Sequence, residues 1–154
     1  MIFMRAKTHL AFGFLSGLFL MNYIEIGNKY IFFGLLLIGA LLPDIDTPNS
    51  KISRKIPVIP KIIELLAKHR GIFHSMFLAL VFAAVIWIFS PTYGIALFSG
   101  YLSHLLIDGF TKQGVNLLHP ISQLRIAGPI QTGKIGELVI FVLIIAGIVL
   151  SLIQ

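Results

Sequence analysis

His104-Leu105-Leu106-Ile107-Asp108 sets an imidazole and a carboxylate four residues apart inside an apolar stretch. On a helix the two side chains share a face one turn apart, which suits two ligands of one metal ion or a histidine with its carboxylate partner. Pro43-Asp44-Ile45-Asp46 ends a second apolar stretch. Carboxylates this close repel one another unless a cation lies nearby, and acids at a helix C-terminus oppose the helix dipole. Solvated loop acids are the plain alternative. His69-Arg70-Gly71-Ile72-Phe73-His74 opens a third stretch. Gly71 permits a backbone bend that turns His69 back toward His74. The Arg70 guanidinium suits bidentate grip on an anionic oxygen. His9 opens the first apolar stretch and Glu137 the last.

The positions of these groups matter more than any one motif. Of the six acids, Asp44, Asp46, Asp108 and Glu137 fall at the ends of apolar stretches, while Glu25 and Glu64 lie elsewhere. His9, His69, His74 and His104 fall at the same ends. The set His9, Asp44, Asp46, His69, His74, His104 and Asp108 is the expected metal shell. With Glu137 it makes eight nitrogen and oxygen ligands, enough for two ions. Zinc is the first expectation, with manganese or iron as alternatives, because the set is too rich in imidazole for calcium or magnesium. The chain has no cysteine, which excludes disulfides and thiolate ligands. Glu137 is open to three roles: ligand, general base, or hydrogen-bond partner of a ligand. His9 is either a ligand or a proton-transfer group. Lys112 and His119 lie in the segment that follows Asp108, where they are expected to touch substrate.

The elements that must present these residues are membrane helices. The chain has 154 residues, 57% hydrophobic and only 12% charged, whereas soluble domains carry about 25% charged residues. An all-α integral membrane protein is expected, one domain over residues 1–154, with about five transmembrane helices. The spans are expected near 9–24, 30–43, 72–90, 94–109 and 135–153. The basic N-terminus reads as the start of a retained span, since no small-residue cleavage site follows. Several stretches are short against the roughly 20 residues a bilayer demands. Thinning of the bilayer, or helix ends sunk below the headgroups, would accommodate them. Within 44–71, Lys61 to Lys68 reads as a short interfacial or connecting helix.

Alternating spans put the histidines and acids on one face. Every basic residue except Lys29 falls on that face too. The positive-inside rule therefore expects a multi-pass inner-membrane protein with the N-terminus and the polar site in the cytoplasm and the C-terminus outside. This rule also accounts for the net charge of +6, so no nucleic acid is expected. Gly128-Pro129-Ile130-Gln131-Thr132-Gly133-Lys134 resembles the start of a phosphate-binding loop, but Ile135 stands where a magnesium-binding hydroxyl belongs and no strand precedes it.

Thr8-His9 with Gly13, Leu42-Pro43-Asp44-Ile45-Asp46, His69-Arg70-Gly71 with His74-Ser75, His104 with Asp108, and Thr132-Gly133-Lys134-Ile135-Gly136-Glu137 together resemble the LexA-regulated, membrane-bound, predicted metal-dependent hydrolases. The resemblance runs through almost the whole chain. It implies an inner-membrane protein and a hydrolase. The motifs are also similar to those of zinc phospholipases C and related nucleases, which implies phosphoester chemistry.

Residues and resemblance combine into one expectation: hydrolysis of a phosphoester in a lipid or other membrane-associated substrate by metal-activated water. The metal ligands are those named above, Arg70 holds the phosphate, and His9 and Glu137 assist. The expected partner is an anionic phospholipid or lipid phosphate, drawn to the basic rim. Two other readings use the same ligands: a metal carrier or channel, and a non-catalytic membrane module stapled by a structural metal.

Overall fold

The computed structural model describes residues 6–46 and 72–153. The described residues form five α-helices and one 3-10 turn: α1 (Ala6–Leu20), α2 (Lys29–Leu41), the turn Leu42–Asp46, α3 (Met76–Trp87), α4 (Pro91–Gly109) and α5 (Ile135–Ile153). Local chemistry sets several of these limits. The Asn28 side chain caps α2, accepting hydrogen bonds from the Tyr30 and Ile31 amides at 3.0 and 3.2 Å. Ser75 caps α3 through the Leu78 amide. Pro91 opens α4, where its missing N–H costs nothing.

The helices depart from the sequence expectation in length. Among the described residues, only α5 is both long enough and apolar enough to cross a membrane by itself. At 1.5 Å per residue, α1, α2 and α3 with 15, 13 and 12 residues reach only about 23, 20 and 18 Å. The first helix stops at Leu20 although apolar residues continue to Ile24. Ile24 and Ile26 pack against the cluster of Phe32, Leu36 and Ala96, so their apolarity serves the core without helix.

α4 is the central element. Ten of its 19 residues are buried, and it packs on α2, α3 and α1. Its crossing with α2 is a backbone-to-backbone approach. A Cβ on Gly100 would collide with the Leu36 carbonyl oxygen, and one on Gly39 with the Leu97 carbonyl oxygen. Small residues at such crossings let membrane helices approach closely, where apolar burial gives no driving force between them. A Cβ on Gly13 of α1 would stand 3.0 Å from the Ala40 methyl group, a tight side-chain approach. These contacts bring His9, the end of α2 and the last turns of α4 to one end of the bundle.

Residues 110–134 are irregular but ordered by their own pairing. Val115 and Ile126 exchange backbone hydrogen bonds at 2.8 and 2.9 Å, and Lys112 donates its amide to Ile130 at 2.8 Å. Val115 is buried with Ala79, Tyr101 and Leu105, which fixes the segment against α3 and α4.

Candidate metal centre

Four stretches of chain converge where α1, α2 and α4 meet. His9 comes from the first turn of α1, Asp44 from the 3-10 turn, His74 from the residues before α3, and His104 and Asp108 from the end of α4. His9 Nε2 lies 3.5 Å from Asp108 Oδ1. His74 Nε2 and His104 Nε2 lie 3.6 and 3.4 Å from Asp108 Oδ2. His104 Nε2 lies 3.9 Å from Asp44 Oδ1. Among the described residues, two groups of donors have the compactness a metal ion needs: His9, Asp44 and His104, and His74, His104 and Asp108.

These separations test whether a metal fits. Ligands about 2.0–2.1 Å from a tetrahedral zinc stand about 3.4 Å from one another. The observed 3.4–3.9 Å spacings match donors around an ion better than N–H···O hydrogen bonds, which centre near 2.9–3.0 Å. His104 Nε2 and both ring nitrogens of His9 are buried without a hydrogen bond. Such orphan atoms are costly unless something else satisfies them. Burial also lifts the Asp44 carboxyl above its ordinary range; His104 opposes the shift and Asp108 adds to it. A buried cation would relieve that penalty.

The second nitrogen of His104 is fixed. Its Nδ1 lies 2.8 Å from the Ala40 carbonyl oxygen, so Nδ1–H donates there and Nε2 is left facing Asp108 and Asp44. Metal-ligating histidines are oriented by this kind of bond. The His9 ring stacks on His104, with centroids 3.8 Å apart and planes 13° apart. Tyr101, fully buried one turn before His104, donates its hydroxyl to the Phe73 carbonyl and so holds the backbone beside His74. Ser75 Oγ donates to the Ile72 carbonyl at 2.6 Å, and the Met76 amide to Leu117 at 2.8 Å, which ties the same loop at two further points.

The other predicted site residues fall as follows. Glu137 is buried but is not in either donor group. Its carboxylate accepts from Thr8 Oγ1 at 3.3 Å and from the Gly133 amide at 2.6 Å, so it joins the start of α5 to the residue preceding His9. Asp46 ends the 3-10 turn, and its side chain lies outside the described residues, as do His69 and Arg70. Lys112 is exposed and His119 half-buried in the irregular segment, and neither is in a donor group. The sequence reading overlooked Tyr101 and the Ala40 carbonyl. Tyr101, His104 and Asp108 fall at i, i+3 and i+7, a polar stripe along an otherwise apolar helix, and that stripe was the available signal for Tyr101. No side-chain pattern marks a carbonyl oxygen.

A family model described as "YdjM inner membrane protein" matches residues 4–153, all the helices that build this centre. The chain belongs to the YdjM inner membrane protein family. An uncharacterized protein YvsG of Bacillus subtilis (strain 168) is 35% identical over 118 residues, covering 74% of this chain and 71% of that protein. The inner membrane protein YdjM of Escherichia coli (strain K12) is 31% identical over 129 residues, covering 76% of this chain and 66% of its own length, just under two thirds. No solved structure matches the chain. As a YdjM-family member the chain is an inner-membrane protein, all-helical among its described residues, with histidine and aspartate groups fit to hold a metal.

Proposed function

We propose that this YdjM-family chain is a membrane-embedded metal-dependent hydrolase that cleaves a phosphoester of a membrane-associated substrate, and that its centre takes one ion. The single-ion reading revises the two-ion expectation among the described residues. Both donor groups include His104. With Nδ1 engaged by Ala40, that ring offers one lone pair and serves one ion. His9, His74, His104 and Asp108 would hold the ion, with Asp44 beside it. Zinc suits this nitrogen-rich set, with manganese or iron as alternatives. A bound divalent ion supplies acidity to a water molecule and polarises a phosphoryl oxygen.

The chain's own groups carry the rest. His104, locked by Ala40, and His74, held through the Tyr101–Phe73 bond, keep their donor atoms in place without reorganisation. Asp44 is the most accessible of the five, its side chain 21% exposed, and is the carboxylate we assign to accept a proton from an incoming water. Glu137 acts as a positioning group through Thr8. Arg70 remains the assigned phosphate grip from its place in the sequence. Five membrane passages with this end in the cytoplasm complete the reading. Their support is the one-sided distribution of lysine and arginine, together with short helices that would leave the centre sunk beneath the headgroups.

The observation that carries this reading is the gathering of His9, His74 and His104 around the Asp108 carboxylate at 3.4–3.6 Å, with His104 locked from behind. The experiment is turnover of short-chain phospholipids and polyprenyl phosphates by metal-loaded protein in detergent. Phosphate-containing product formed by the wild type, with kcat at least about a hundredfold lower in Asp44→Asn while metal content is retained, is the expected result. No turnover by loaded wild-type protein across both lipid classes would reject hydrolysis. That outcome favours the second reading, a structural ion, which draws on the donors coming from four separate stretches of chain that one ion would pin together.

A further inference from the structure

Beside the metal centre, at the same end of the bundle, Lys7 of α1 and the start of α5 line an open groove of about 670 Å³. Lys7, Lys134, Gly133, Glu137, Leu138 and Phe141 are among its lining residues. The two lysines are exposed, and Lys7 Nζ stands 5.8 Å from the centroid of the Phe141 ring. Gly133, at φ 78°, makes the bend that leads into α5. Ile135 and Leu138, 79% and 61% exposed, extend the apolar wall along α5. Glu137 puts a carboxylate in this wall, but it is only 5% exposed and turned inward, accepting from Thr8 and Gly133. Positive charge therefore dominates the accessible rim.

From this groove we infer a binding site for one anionic phospholipid of the surrounding bilayer. The inference goes beyond the proposed hydrolase and stands whether or not the metal centre turns anything over. Charge complementarity and shape select the occupant. Two ammonium groups at the rim suit a phosphate-bearing headgroup, with the attraction of each lysine to an anionic surface adding to the other. The Ile135, Leu138 and Phe141 wall runs down α5, a helix long and apolar enough to cross a bilayer, which suits an acyl chain. The volume lies within the range of pre-formed ligand sites. A soluble phosphate compound would use the lysines but leave the apolar wall wet. The site also touches the metal centre's support, since Lys7 is followed by Thr8, the partner of Glu137, and then by His9.

The test uses the full chain in a neutral maltoside detergent and native mass spectrometry, with phosphatidylglycerol and phosphatidylcholine of matched acyl chains as probes. One phosphatidylglycerol retained per chain is expected, bound at least about tenfold more tightly than phosphatidylcholine. Lys7→Ala/Lys134→Ala should remove that preference while metal content stays at the wild-type level, and Lys7→Arg/Lys134→Arg should restore it. Leu138→Asp, which keeps both lysines, should weaken phosphatidylglycerol through the apolar wall. Equal retention of the two lipids by the wild type, undiminished preference in the alanine pair, or displacement of the lipid by millimolar glycerol phosphate would overturn the inference.

Discussion

α4 and α5 have the same length and opposite roles. Each has 19 residues. α5 is the helix best suited to cross a membrane, yet only Glu137 and Ile144 along it are buried. α4 carries Tyr101, Ser103, His104 and Asp108 in an otherwise apolar sequence and is buried along more than half its length. The helix that best satisfies a bilayer supplies neither donor group with a ligand. The helix that satisfies it less well organises the metal centre. Polar side chains in an apolar helix are expensive unless they face protein and one another, so α4 sits in the middle, and α2 and α1 pack closely around it through Gly39, Gly100 and Gly13.

The contrast can be broken most forcefully at α4. His104→Ala removes a donor shared by both groups and strands the Ala40 carbonyl. Metal affinity should fall by at least about a hundredfold, measured by competition with a chromophoric chelator. Gly100→Leu should come next. A side chain there meets the Leu36 carbonyl, which belongs to backbone and cannot swing away. The cost should reach about 3 kcal/mol or more, read as loss of the folded fraction in detergent thermal melts, with metal binding lost alongside.

Tyr101→Phe sharpens the comparison at smaller scale. It strands the Phe73 carbonyl and frees the loop that holds His74. A cost of about 1–2 kcal/mol in stability and about tenfold in metal affinity is expected, from melts and the same chelator competition. On α5 the expectation reverses. Val142→Ala, at a side chain 56% exposed, should change stability by no more than about 0.5 kcal/mol and leave metal affinity unchanged. A large effect there would mean that α5's outer face packs on protein and that the contrast between the helices is misplaced.

Parts of this arrangement were readable from sequence. Apolar stretches and their turn residues located the helices to within a few positions, because Asn28, Ser75 and Ser90-Pro91 act locally on the backbone. The gathering of His9, Asp44, His74, His104 and Asp108 was legible from their places at the ends of successive apolar stretches. Helix lengths were less legible. Hydrophobicity does not distinguish Met21, Tyr23 and Ile24, which continue the first stretch as turn, from residues within the helix. Glu137 was legible as important but open in role, since only the fold shows Thr8 and Gly133 on either side of its carboxylate. The Ala40 carbonyl was not legible at all, because it is a backbone atom brought to His104 across 64 residues of chain.

The central claim is that one ion sits between His9, His74, His104 and Asp108. Elemental analysis of protein purified without a histidine tag or chelator tests it most directly, with His104→Ala and His119→Ala in parallel. The account predicts one transition-metal ion per chain in the wild type and in His119→Ala, and close to none in His104→Ala. Two ions per chain, no metal even after reconstitution with zinc, manganese and iron, or undiminished metal in His104→Ala would contradict it.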